Sequence, residues 1–291
     1  MKNVVQRLLD CVNTLSVYKF ISLYGSHHIN VSTYQQNTFN RSNNQAIIDV
    51  VCRYRGMNKL MNAIVALRDE AQAAHLARFF KTGPGEYGEG DRFLGIKVPV
   101  TRSVVKEHWK GCNWDDLEEC LASEWHEVRL AGLLALVQRF HHAKRDPAEQ
   151  QKCVDFYLNH LSAVNNWDLV DLSCYEILGT WYLTHDATLL YTLAREGKTI
   201  WEQRIGIVST MQFLRHGRLD DTYAIADILL HHPHDLIHKA VGWLLREAGK
   251  RDTQRLQQYL DTRCTAMPRT MLRYAIEKFP PDIRQFYLRQ K

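Results

Sequence analysis

Asn165-Asn166-Trp167-Asp168-Leu169-Val170-Asp171-Leu172-Ser173 ends on one copy of a short pattern that recurs through the second half of the chain. The pattern is a charged residue, an apolar one and a small one. It reads Arg129-Leu130-Ala131, Asp171-Leu172-Ser173, Arg204-Ile205-Gly206 and Arg273-Tyr274-Ala275, with Lys239-Ala240-Val241 as a looser copy. The charged slots are 42 (129 to 171), 33 (171 to 204), 35 (204 to 239) and 34 (239 to 273) residues apart. Apolar positions at three- and four-residue spacing together with a period of this size mark a helical-repeat array of the HEAT or TPR kind. The predicted fold class is therefore all-α, a HEAT-like helical-repeat solenoid or α-α superhelix.

The helical pattern runs from about Met57 to the C-terminal region. It predicts helices over 60–81, 99–110, 114–123, 125–143, 147–163, 167–182, 186–196, 200–215, 218–231, 234–249, 252–262 and 268–278. Pro147 and Pro268 stand where helices begin. Short connections imply antiparallel neighbours. Gly83-Pro84-Gly85-Glu86-Tyr87-Gly88-Glu89-Gly90-Asp91 is the one long glycine-rich loop. It is no phosphate cradle, because its charges are acidic and no Lys-Ser/Thr follows.

Residues 1–56 differ in character. Ser26 to Asn44 is rich in Asn, Gln, Ser, Thr and His and lacks helical period. They read as a partly disordered N-terminal extension before a domain at 57–291, with Met57 as an alternative start. The whole chain has 291 residues and a net charge of +5, a weak preference for an anionic partner. Seven dispersed cysteines with no C-x-x-C pair argue against a disulfide framework or zinc knuckle and favour a reducing, cytoplasmic setting. No run of eighteen apolar residues predicts a membrane span.

Four of the five slots carry a cation, and a row of Arg129, Arg204, Lys239 and Arg273 on the inner helices would suit a phosphate backbone. They would equally serve as solvated helix faces with their stems packed down. Asp171 is the exception. Asp168 is explained as a first-turn acid at the positive end of a helix dipole, and Asn166 as an N-cap. Asp171 lies beyond that effect, one turn from Trp167 on the same face. A salt bridge to Arg129 or Arg204 is its structural explanation.

Several blocks resemble the DNA alkylation repair family, the AlkD-like DNA glycosylases built on HEAT-like repeats. They are Ala77-Arg78-Phe79-Phe80-Lys81, Arg92-Phe93-Leu94-Gly95-Ile96-Lys97-Val98-Pro99, Asn166-Trp167-Asp168-Leu169-Val170-Asp171, Ile200-Trp201-Glu202-Gln203-Arg204, and Lys239-Ala240-Val241-Gly242-Trp243-Leu244-Leu245-Arg246-Glu247. The resemblance runs from about residue 60 to the end, in the family's order. It implies that Trp167, Asp171 and Arg204 form the catalytic centre. It also implies that Trp243 faces the lesion and that Arg246 contacts the DNA backbone. Phe79 stands where relatives carry tyrosine, so a ring can stack there but no hydroxyl is offered.

The implied activity is hydrolysis of the N-glycosidic bond of purines alkylated at N3 or N7 in duplex DNA, without base flipping. Such a base is cationic and already a good leaving group, and a fixed carboxylate would stabilise the oxocarbenium-like transition state. Trp167 and Trp243 would hold the cationic nucleotide on their ring faces. Arg204 would hold the adjacent phosphate, with Arg129, Lys239, Arg273 and Phe79 as further DNA contacts. No cofactor, metal or Schiff-base lysine is implied, and the protein would act as a monomer, nucleoid-associated when on DNA. Two rivals are a non-catalytic member of the fold that binds branched or damaged DNA and a HEAT scaffold that binds protein. His231, His232, His234 and His238 cluster at a helix start and read as loop and cap residues, since Pro233 interrupts them. Cys174 reads as a small buried apolar residue.

Overall fold

The computed structural model describes residues 58–290, so the expectations for residues 1–56 and for Met57 lie outside the described residues. The described residues are helical, apart from turns and a single parallel bridge between Arg92 and Trp125. In chain order the helices are α1 (Lys59–Val65), α2 (Glu70–Phe79), α3 (Val98–His108), α4 (Trp114–Leu121), α5 (His126–His142), α6 (Pro147–Asn159), α7 (Trp167–Asp171) and α8 (Thr188–Glu196). They continue as α9 (Ile200–Val208), α10 (Met211–Arg215), α11 (Asp220–Ile228), α12 (Asp235–Gly249), α13 (Thr253–Arg263), α14 (Arg269–Ala275) and α15 (Pro281–Arg289).

The recurring slots sit on α5, α7, α9, α12 and α14, and these helices pack in that order, each against the next. A contiguous row of slot-bearing helices is the α-helical repeat fold that the period predicts. The small residues do the close packing, from both directions. A side chain at Gly206 would come within 2.7 Å of the Leu190 carbonyl on the preceding α8, and one at Gly242 within 2.5 Å of the Met271 carbonyl on α14, the next helix of the row.

Three predicted helices are broken. The span 60–81 divides because Asp69 caps α2, its carboxylate accepting from Gln72 N, while its own N–H donates to the Leu94 carbonyl at 2.8 Å. The span 167–182 stops at Asp171 and resumes as a π-helical turn, Tyr175–Gly179. Ser173 drives this break: its hydroxyl bonds back to the Leu169 carbonyl and pairs with the Tyr157 hydroxyl at 3.0 Å. The span 200–215 breaks at Ser209-Thr210, where the Thr210 hydroxyl donates to the Ile207 carbonyl at 2.7 Å. The two breaks meet, since a Cβ on Gly179 would lie 2.4 Å from the Ser209 carbonyl. Beyond the predicted set, α15 begins with Pro281 in its first turn, where a missing N–H costs nothing.

One buried carboxylate shapes the approach to α5. Glu127 accepts from three consecutive backbone N–H groups, Leu94 and Gly95 at 2.8 Å and Ile96 at 3.0 Å. Gly95 sits at φ +92°, and a Cβ there would collide with the Asp69 carbonyl at 2.1 Å.

Candidate functional site

α7 is only five residues long, and the side chains around it hold it in place. Asn166 precedes it and accepts from the Trp167 N–H at 2.9 Å. At its other end Asp171 points to α9, where Arg204 takes its carboxylate in a fork: Nε donates to Oδ1 at 2.8 Å and Nη2 to Oδ2 at 2.7 Å. The third arm of Arg204, Nη1, donates to the Leu236 carbonyl on α12 at 2.5 Å. One guanidinium thereby joins three helices of the row. Burial raises the Asp171 carboxyl above its ordinary range, Arg204 works against the rise, and the charge of Asp168 adds to it. The fork is the geometry in which arginine recognises a carboxylate best.

Trp167 is half-buried and lies in an aromatic wall. It stacks on Phe80 at 5.2 Å with 15° between the planes, and Phe79 meets it edge-on at 6.1 Å. Phe79 is 59% exposed, an unusual state for phenylalanine, and it is available to an incoming flat ring. Tyr87, from the glycine-rich loop, meets Trp201 edge-on at 6.1 Å, and burial raises its hydroxyl pKa.

Beneath this wall lies a buried charge network. His126, 1% exposed, is flanked by Asp91 Oδ2 at 2.7 Å from Nδ1 and Asp168 Oδ2 at 2.9 Å from Nε2. Ionised carboxylates only accept, so both ring nitrogens carry protons and the ring is an imidazolium. Burial opposes that charge, but Asp168 and Asp91 outweigh it and raise the His126 pKa to about 9. Asp91 is held below the usual carboxylate range: burial works upward, and His126 and Arg129 win. Arg129 Nη2 donates to Asp91 Oδ1 at 2.5 Å and to Asn165 Oδ1 at 3.1 Å, while Asn166 Nδ2 donates to Asp91 at 3.3 Å.

This network changes the expected placement of several residues. Arg129, expected on an open phosphate-facing row, is 6% exposed and spent on Asp91, Asn165 and the Ser123 carbonyl. Arg204 is 5% exposed, with Nε, Nη1 and Nη2 all bonded inside the protein. Of the two arginines offered as partners for Asp171, Arg204 is the one it pairs with. Asp168 does more than meet a helix dipole, since it binds His126 as well as the Leu169 N–H.

On α12, Trp243 is half-buried and Lys239 pairs with Asp235 at 2.7 Å, which raises its pKa. Arg246 is engaged by Glu277 and lies 3.6 Å from Glu247. Arg273, on α14, is exposed. The histidine cluster takes cap and turn roles: His234 accepts from the Leu236 N–H at 3.1 Å, and His232 pairs with Gln203 at 2.9 Å. Among the described residues no group of His, Cys, Asp and Glu has the arrangement of a metal site.

Sequence reasoning passed over Asp91, His126, Phe80 and Tyr87. His126 and Arg129 lie three apart on one helix face, a spacing that would have pointed to a shared partner. Asp91 was visible only as one of the loop's acids.

A model of the DNA alkylation repair enzyme family matches residues 60–279. Among solved structures, a predicted DNA alkylation repair enzyme from Enterococcus faecalis superposes with a TM-score of 0.58 at 16% identity, over 74% of this chain and 97% of that one, a likeness of fold. No curated protein matches the chain. With the family pattern spanning most of the described residues, the chain belongs to the DNA alkylation repair enzyme family.

Proposed function

We propose that this protein is a monofunctional DNA glycosylase that releases cationic N3- or N7-alkylated purines from duplex DNA without flipping the base. The observation that carries this reading is the Asp171 carboxylate, held in a fixed orientation by Arg204 one helical turn from the half-buried indole of Trp167. A stacking surface and an oriented negative charge are the two things such a reaction requires. The base leaves with the electrons of the C1′–N bond, and positive charge develops on the sugar. A carboxylate already in place stabilises that charge without reorganising. Water then adds to C1′, and its proton passes to the carboxylate or to solvent.

In this reading Trp167, Phe79 and Trp243 present ring faces to the cationic nucleotide. Arg204 sets the carboxylate, and Lys239, Arg246 and Arg273 supply cations toward phosphate. The base form of Asp171 is the working one, and burial pushes its pKa upward, so activity should fall toward acid.

A second reading, a DNA-binding protein without catalysis, draws on the same pair: Asp171 and Arg204 already satisfy each other. Mass-spectrometric detection of bases released from alkylated duplex DNA separates the two. Release of N7-methylguanine or N3-methyladenine by the wild type, and its loss in Asp171→Asn, supports the glycosylase. Binding with no release supports the second reading.

A further inference from the structure

We propose that His126 is a positioning residue for Trp167: bridging Asp91 and Asp168, it ties the glycine-rich loop to the first turn of α7 and so sets the indole face on which an alkylated base would stack. The inference rests on reading Trp167 as the stacking residue, but its geometry stands apart from any activity.

Two physical routes connect the ring to Trp167. One is the hydrogen bond at 2.9 Å to Asp168, the next residue in the chain after Trp167. The other is a ladder of rings. His126 stacks on Phe93 at 4.5 Å, Phe93 on Phe80 at 4.9 Å, and Phe80 on Trp167 at 5.2 Å, with planes within 23° at each step. Phe93 cannot drift, because Glu127 grips the three backbone N–H groups that follow it. The loop side is equally tied, since Asp91 is shared among His126, Arg129 and Asn166.

The charged groups facing the ring come from every element around it. Asp91 arrives from the glycine-rich loop, Asp168 from α7 and Arg129 from α5, and Asp171 lies within electrostatic reach of Asp168. With His126 protonated, the two carboxylates in contact with it are matched by two cations. Loss of that proton removes a donor from one carboxylate and leaves the pair outnumbering Arg129, so α7 and the loop lose their common anchor.

The test has two arms. In the first, the Trp167 indole N–H and the His126 ring N–H signals are followed by 1H–15N NMR, assigned with Trp167→Phe and His126→Gln. The expected result is a Trp167 signal that moves over the pH span in which the His126 signals are lost, near pH 9, and that is displaced in His126→Gln. A Trp167 signal indifferent to both would overturn the proposal. If His126→Gln does not fold, the wild-type titration alone decides. In the second arm, single-turnover release of N7-methylguanine near neutral pH should fall about 100-fold in His126→Gln, the scale of a small misplacement at a reacting centre. Its affinity for undamaged duplex should stay within about twofold, because phosphate contacts are untouched. A folded variant with the wild-type release rate would overturn the proposal as well. Wild-type protein that releases no base defeats the glycosylase reading instead, and the resonance arm still decides His126.

Discussion

Asp171 and Arg204, 33 residues apart in sequence, meet in a two-pronged pair in which each carboxylate oxygen accepts from a different guanidinium nitrogen, at 2.8 and 2.7 Å. The pair makes the one acidic slot of the row both a structural tie between α7 and α9 and a carboxylate of fixed orientation one helical turn from Trp167.

Replacing Asp171 with Asn keeps the shape but removes the charge. Release of N7-methylguanine should drop by about 10²–10³-fold, the usual cost of deleting one fixed electrostatic group at a transition state. Duplex affinity, measured by fluorescence anisotropy, should hold or rise, because the proposed DNA-facing surface loses a negative charge. Undiminished release would remove Asp171 from the chemistry.

Arg204→Lys tests the fork itself. Lysine keeps the charge but cannot make two parallel bonds to one carboxylate or reach Leu236 at the same time. Release should fall by at least about tenfold and thermal stability should fall with it, since a buried carboxylate loses part of its pairing. Wild-type values for both rate and melting temperature would show that charge alone suffices.

Arg129 and Arg273 should behave oppositely, although they occupy equivalent slots. Arg129→Ala leaves buried Asp91 with His126 and Asn166 alone and should cost about 1–3 kcal/mol of stability in urea denaturation. Arg273→Ala, at an exposed position, should leave stability within about 0.5 kcal/mol. It should reduce the salt dependence of DNA binding by about one phosphate contact. A stable Arg129→Ala that merely weakened DNA binding would assign Arg129 to the DNA-facing surface instead of the buried network.

The charge on His126 makes stability depend on pH in a defined direction. Its pKa is about 9 in the folded protein against an ordinary 6.5, so the folded state holds the proton more tightly. The stabilisation is fully present below about pH 6.5 and is lost as pH rises through about 9. Asp91 has the opposite sign: its lowered pKa contributes above the ordinary carboxylate range and is lost in acid. Urea midpoints followed by circular dichroism should decline across the alkaline span in the wild type and decline less in His126→Gln. A flat wild-type profile there would contradict the imidazolium.

Much of the fold was legible from local signals. Apolar spacing and prolines placed most helices, and the recurrence of charge, apolar and small residue placed five of them in one row. The breaks were less legible. At Ser173 and Thr210 a hydroxyl competes for a carbonyl of its own helix, and whether it succeeds depends on what packs alongside, here Gly179 against Ser209. Asp69 is a plain capping residue, yet the apolar pattern continues through it.

By itself the sequence determined the helical repeat, the placing of Trp167 and Asp171 on one helix face, and the likeness to a repair family. These follow from periodicities of three to four residues and from short contiguous blocks, which do not require knowing what lies across the fold. Only the tertiary structure decided which charges are buried. Arg129 and Arg204 occupy the same slot in the same row, and both turn out to be spent on partners 38 and 33 residues away in sequence, leaving Arg273 exposed. Asp91 and His126, 35 residues apart, find each other because a glycine-rich loop folds back over α5. A charge at a given slot becomes a surface contact or an internal tie according to the carboxylate that packing brings to it, and packing joins residues that no local pattern connects.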